Sequence, residues 1–214
     1  MTHLATKQGP LRRVGIFGGT FDPIHLGHLH IAQGLREKLN LDQIVWVVAG
    51  KPPHKRGQIV SDDNDRIAMV HLALGDSTGD IVSRVEVDRP GPSYTVDTLE
   101  QLTAELGPAR YFFLMGEDSL RDFPTWRNPE RILELADLGV VGRPGIDTDL
   151  AGLECALPAL AGKVHLVSLD ELPYSSSEIR QRVAAGLPIE DLTVEPVARY
   201  IRDHGLYLQG VPVR

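Results

Sequence analysis

Short, densely apolar runs alternate along this chain with longer stretches whose apolar residues recur at helical spacing. Val14–Phe17 and IVWVVA (Ile44–Ala49) are strand-like, the second β-branched or aromatic almost throughout, as a strand covered on both faces requires. RYFFLMG (Arg110–Gly116), a short run in DLGVVGRPG and KVHLVSL (Lys163–Leu169) read the same way, and IVSRVEV (Ile81–Val87) alternates like a half-exposed strand. Between them lie helical patterns. Leu29, Ile31, Ala32, Leu35 and Leu39 share one such stretch, and Ile67, Val70 and Leu74 follow capping residues at Ser61 and Asp62. Thr95–Leu106 is helical, Asn128–Ala136 is opened by Pro129, SSSEIRQRVAAG is capped by serines and stopped by Gly186, and residues 195–204 form a last helix. KPPHKRG (Lys51–Gly57) and DRPGPSY are loops, and the stretch 143–152 reads as a mobile connection.

Strand-then-helix alternation over most of the length predicts an α/β fold. It would be a Rossmann-like, doubly wound, mainly parallel sheet with helices on both faces and a small C-terminal helical part. Residues 1–11 are expected to be a disordered leader, 12–208 one domain and 209–214 a loose tail. In such sheets ligands bind beyond the carboxyl ends of the strands, which selects the loops at 18–28, 50–57, 116–126 and 142–145.

Composition narrows the chemistry. The 214 residues carry a net charge of −7, which argues against a duplex nucleic-acid binder and allows an anionic small molecule only through local positive contacts. The single cysteine, Cys155, suits a reducing cytoplasm and forms no metal-site pair. No stretch reads as a secretory signal or a membrane span. Homo-oligomerisation is left open.

The first candidate site is GIFGGTFDPIHLGHLHIA, residues 15–32. Gly18 and Gly19 follow a strand, where the absence of side chains lets backbone approach a ligand, and the next helix offers N–H groups to an anion. The stretch is neither a G-x-G-x-x-G fingerprint nor a P-loop. His25 and His28, three apart, would face one side of a helix starting near His25 and donate to phosphate oxygens; His30 would point elsewhere. A metal site and two surface histidines of no consequence are the competing readings. The second candidate is YSSSEIR (Tyr174–Arg180), where hydroxyls, a helix start and Arg180 make an anion site, or simply a capped helix.

GGTFDPIHLGH resembles the [GS]-x-F-D-P-x-H-x-G-H signature of the nucleotidyltransferase superfamily that includes bacterial nicotinate-mononucleotide adenylyltransferases, and YSSSEIR resembles its I-S-S-T-x-I-R motif. Tyr174 replaces the usual Ile, and Ser177 replaces Thr while keeping the hydroxyl. GPSYTVDTL, GEDSLRDFPTW, KPPHK and GRPG are similar to further segments of that family, so the resemblance spans residues 13–208.

The resemblance implies transfer of AMP from ATP to nicotinate mononucleotide, with Mg²⁺ accompanying the ATP. It implies that Gly18, Gly19, Thr20 and Phe21 hold ATP phosphate through backbone N–H groups, that His25 and His28 stabilise the reacting phosphates, and that Ser176, Ser177 and Arg180 grip the β/γ end. His25, His28 and Arg180 form the catalytic set. Gly116 and Asp118 would lie near the ribose or the metal, Trp126 would stack on the pyridine ring, and Tyr94 and Thr95 would approach it through backbone. Lys51, His54, Lys55 and Arg56 would form a basic loop over the site, with His54 and Lys55 on the pyridine nucleotide. Arg143 is equally a phosphate contact or a surface residue; Asp22 braces its loop, and Arg66 and Asp97 are structural. A nicotinamide-mononucleotide or phosphopantetheine adenylyltransferase, and a non-catalytic nucleotide sensor on the same fold, remain the alternatives. A class I aminoacyl-tRNA synthetase shares the H-x-G-H idea, but no lysine-bearing K-M-S-K-S-type loop or anticodon-binding domain is visible in this chain.

Overall fold

The computed structural model describes residues 11–50, 61–75, 79–142, 149–170 and 173–208. Six strands, β1 (Arg13–Gly19), β2 (Gln43–Val48), β3 (Ile81–Ser83), β4 (Arg110–Gly116), β5 (Asp137–Gly142) and β6 (Val164–Ser168), form one sheet in the order β3-β2-β1-β4-β5-β6. Every pairing is parallel. This is the doubly wound, Rossmann-like arrangement the alternation predicts, and its strand order reverses between β1 and β4.

The α-helices are α1 (Leu26–Leu39), α2 (Asp63–Leu74), α3 (Thr95–Leu106), α4 (Glu117–Asp122), α5 (Pro129–Leu135), α6 (Leu150–Ala156), α7 (Ser176–Ala184) and α8 (Glu195–Asp203), with short 3-10 turns at Phe123–Thr125 and Pro158–Leu160. Alternate strand residues feed two separate cores. Phe17, Trp46 and Phe112 pack on one face with Leu35, Val197 and Ile201; Ile16, Val45, Val47 and Phe113 pack on the other with Leu99 and Ile132. Both faces being covered explains why β2 and β4 are continuous apolar runs.

Two expectations need correction. The Ile81–Val87 strand ends at Ser83: an Arg84–Asp88 ion pair and the bond from the Asp88 N–H to the Arg84 carbonyl close a turn, so the chain leaves the sheet. The alternation beyond Ser83 is that turn's, and it carries Glu86 inward. The stretch expected as a connection over 143–152 is helical from Leu150, with the Asp149 carboxylate accepting the Gly152 N–H at 2.8 Å. Helix α1 starts at Leu26 with His25 as its cap, as a helix starting near His25 requires.

Candidate active site

The carboxyl ends of β1 and β4 open onto two cavities. One, of about 440 Å³, is lined by Gly18, Gly19, Thr20, Tyr94, Thr95 and Trp126 among others, over the Ile16–Phe113 face of the sheet. The other, of about 360 Å³, is lined by His25, Gly27, His30, Gly116, Glu117 and Asp118 among others. The apolar part of its wall, Ile31, Val141, Leu169 and Tyr174, belongs to the opposite core. At the switch point the glycine loop lines the larger cavity and His25 the smaller; His28, stacked on His25, lines neither.

His25 and His28 form a reciprocal capping box. The His28 N–H donates to His25 Nδ1 at 3.3 Å, and the His25 N–H donates to His28 Nδ1 at 3.2 Å. Their rings stack with centroids 3.6 Å apart. Each Nδ1 is thereby an acceptor, which assigns the ring proton of the neutral form to Nε2. Burial pushes the His25 imidazole down from 6.5 to about 4, so His25 is a neutral donor at pH 7.

The loop between Gly19 and His25 is held by its carbonyls. The Thr20 carbonyl accepts from the Arg66 guanidinium at 2.8 Å, that of Asp22 from Arg180 at 2.7 Å, that of Pro23 from the Ser176 hydroxyl at 2.8 Å, and that of Ile24 from the Thr193 hydroxyl at 2.9 Å. The buried Asp22 carboxylate also accepts from the Tyr207 hydroxyl at 2.8 Å, in keeping with a bracing role. Burial pushes the Tyr207 phenol well above its usual range, with the neighbouring Asp22 carboxylate acting in the same direction. Four side chains from three distant stretches thus pin the carbonyls of Thr20, Asp22, Pro23 and Ile24, with Tyr207 adding a fifth hold through Asp22. This loop geometry is tertiary, although its sequence is local.

YSSSEIR is brought to the first motif as expected, with Ser175 capping α7 by accepting the Glu178 N–H. The Ser176 hydroxyl and Arg180 are already engaged with the loop, and Arg180 also reaches Ser177 at 3.3 Å. None of Ser176, Ser177 and Arg180 lines either cavity. Phe21 is buried: its ring packs against Phe17, Trp46 and His28, leaving only its backbone to the loop. Asp118 is 85 % exposed in its side chain and pairs with Arg121. His30 does not point away; it shares the cavity wall with His25. The helical-wheel argument fails because His25 is an extended cap, at φ −143°, and lies off the helical repeat. His54, Lys55, Lys51, Arg56 and Arg143 lie outside the described residues.

Trp126 meets Phe113 and Phe123 at ring centroid distances of 5.9 and 5.4 Å, which hold its indole at the wall of the larger cavity. The Arg127 guanidinium sits 4.5 Å over the Tyr94 ring at the same wall. Glu86 accepts from the Thr98 hydroxyl at 2.9 Å on the cavity lining. Sequence reasoning missed Arg127, Glu86, Thr98 and Ser93. The only signal for Arg127 is that it follows Trp126, and Glu86 is hidden in a strand-like alternation.

Residues 16–182 match the family described as cytidylyltransferase-like. The chain is 48 % identical over 197 residues to a protein of Thermomicrobium roseum named as a probable nicotinate-nucleotide adenylyltransferase, covering 92 % of each chain. It is 42 % identical to a protein of Thermus thermophilus with the same name, covering 91 % of this chain and 99 % of that one. The fold matches the nicotinic acid mononucleotide adenylyltransferase of Plasmodium falciparum, solved with NaAD, at a TM-score of 0.71 and 20 % identity over 93 % of this chain and 98 % of that one. With a signature loop at the switch point, a matching fold and relatives this similar along nearly the whole length, the chain belongs to the nicotinate-nucleotide adenylyltransferases of the cytidylyltransferase-like family.

Proposed function

We propose that this enzyme transfers AMP from ATP to nicotinate mononucleotide, giving nicotinate adenine dinucleotide and pyrophosphate, in the cytoplasm and within a single domain over residues 12–208. The observation that carries the reading is that, at the switch point, the glycine loop lines one cavity and His25, stacked on His28, lines the other. Joining two nucleotides needs each nucleoside held in its own cavity so that their phosphates meet, with the attacking oxygen opposite the leaving pyrophosphate.

The phosphate oxygen of the mononucleotide attacks the α-phosphorus of ATP, and the bond to the β-phosphate oxygen breaks. The nucleophile is already an oxyanion, so no general base is required. The protein's task is to position two polyanions and to stabilise the charge growing on the leaving pyrophosphate. The Nε2–H groups of His25 and His28 donate to the phosphates, and the N–H groups of Gly18–Thr20 approach them. Arg180 and Ser177 serve the β/γ end, while Ser176 supports the loop. Trp126 stacks on the pyridine ring, with Tyr94 and Thr95 beside it. The smaller cavity, with Gly116 and Asp118, takes the adenosine. Among the described residues no group of three or more His, Cys, Asp or Glu side chains is arranged to hold a metal ion. Mg²⁺ would be carried on the ATP by phosphate oxygens and water, where it would offset phosphate charge.

Purified enzyme supplied with ATP, Mg²⁺ and, in turn, nicotinate mononucleotide, nicotinamide mononucleotide or phosphopantetheine, with products identified by mass, tests the reading. The acid should be the better substrate, EDTA should abolish turnover, and a zinc-selective chelator should not. Preference for the amide, or transfer to phosphopantetheine alone, favours a sibling enzyme. Binding of ATP with no transfer to any of the three favours the sensor.

A further inference from the structure

Arg66 is completely buried on α2, beside the core residues Ile67, Met69 and Val70. A guanidinium in the interior is costly unless its hydrogen bonds define something. One amino group donates to the Thr20 carbonyl at 2.8 Å, 46 residues away, and the other pairs with Asp63, whose side chain is 43 % exposed. The Nε is buried and meets no acceptor among the described residues. An apolar residue would satisfy this position if packing were its whole task.

The bond falls at a strained place. Thr20 is followed by Phe21 at φ 49°, in the left-handed region that a bulky residue adopts only when its surroundings impose it. In that conformation the Phe21 ring lies beneath Gly19, where a Cβ would come within 2.5 Å of the ring. The same ring meets His28 edge-on at a centroid distance of 5.1 Å. A continuous path therefore runs from Arg66 through the Thr20 peptide and the Phe21 ring to His28.

We propose that Arg66 is a positioning residue for adenylyl transfer, whose guanidinium fixes the Thr20–Phe21 peptide and so seats the Phe21 ring that orients His28. The kinetic part of this inference rests on the adenylyl-transfer reading; the structural path does not. Arg66→Met and Arg66→Lys in the full chain test it, with kcat and both KM values measured per folded molecule and the His28 imidazole followed by NMR. Arg66→Met should lower kcat by on the order of 10²-fold, as small misplacements of reacting groups do, with each KM within about threefold of wild type. Arg66→Lys keeps a donor toward Thr20 and should lose about threefold to tenfold in kcat, with a wild-type melting temperature. Both should move the His28 resonances.

A folded Arg66→Met enzyme with wild-type kcat and unmoved His28 resonances would make Arg66 a core stud and overturn the proposal. Where Arg66→Met does not fold, Arg66→Lys with wild-type kcat and unmoved resonances overturns it equally. Wild-type enzyme that transfers no AMP to nicotinate mononucleotide defeats the functional reading instead, and the NMR arm then still decides whether Arg66 governs His28.

Discussion

His25 and His28 cap one another: each backbone N–H donates to the other's Nδ1, at 3.2 and 3.3 Å, and the two rings stack. The helix start and the tautomer are therefore set by the same pair of bonds. Serine or aspartate at these positions could cap the helix equally well, but neither would leave a neutral N–H donor on the far side of the ring.

The burial of His25 has a consequence for stability. Its imidazole falls from 6.5 to about 4 on folding, so the unfolded chain binds the extra proton between those values. The stability it contributes is complete above pH 6.5 and is lost as pH falls toward 4, by up to about 3 kcal/mol. Urea midpoints at pH 7.5 and 4.5 should differ more for wild type than for His25→Asn, which does not titrate there. An equal difference would show that His25 is solvated. Turnover should not fall as pH rises through 6.5, because the donor is the neutral ring.

His28→Ala removes one Nε2 donor and the acceptor for the His25 N–H. We expect kcat to fall on the order of 10²-fold or more while ATP still binds, as for loss of a charge-stabilising donor. Steady-state kinetics beside calorimetric ATP binding make the comparison. Near wild-type turnover would remove His28 from the reaction.

Trp126 carries a separable role at the wall of the larger cavity. Trp126→Ala should raise KM for the pyridine mononucleotide on the order of tenfold, roughly the value of a stacked aromatic pair, and leave KM for ATP within about twofold. Trp126→Phe should recover most of the loss. Equal rises for both substrates would show that the indole only supports the fold.

The Tyr207 hydroxyl donates to buried Asp22 from the far end of the described chain. Tyr207→Phe keeps the ring and removes that donor beside a buried carboxylate. It should cost on the order of 1–3 kcal/mol, read from denaturant midpoints. An unchanged midpoint would mean that water replaces the hydroxyl.

Much of this protein was legible from residue order because its elements are locally consistent. Thr95–Leu106 and Arg110–Gly116 read from spacing and composition alone match α3 and β4 at both ends. The parallel sheet followed from apolar runs joined by helices, and the site from the rule that ligands gather beyond strand ends. The strand expected over Ile81–Val87 failed because period-two alternation cannot distinguish a strand from a turn that buries Val85 and leaves Glu86 on a cavity wall as it leaves the sheet. His30 failed because a capping residue does not obey the helical repeat.

Residue order alone shows which groups are available: two imidazoles three residues apart, a glycine turn, a hydroxyl-rich helix start and a tryptophan after a strand. What each does to the others is set by folding. Arg66, Ser176, Arg180, Thr193 and Tyr207 come from positions far apart in the chain and close on one loop. Hydrogen bonds from side chains to distant carbonyls leave no periodicity in a sequence. A guanidinium such as that of Arg66 reads there as structural, and only the closed core shows which distant carbonyl it holds.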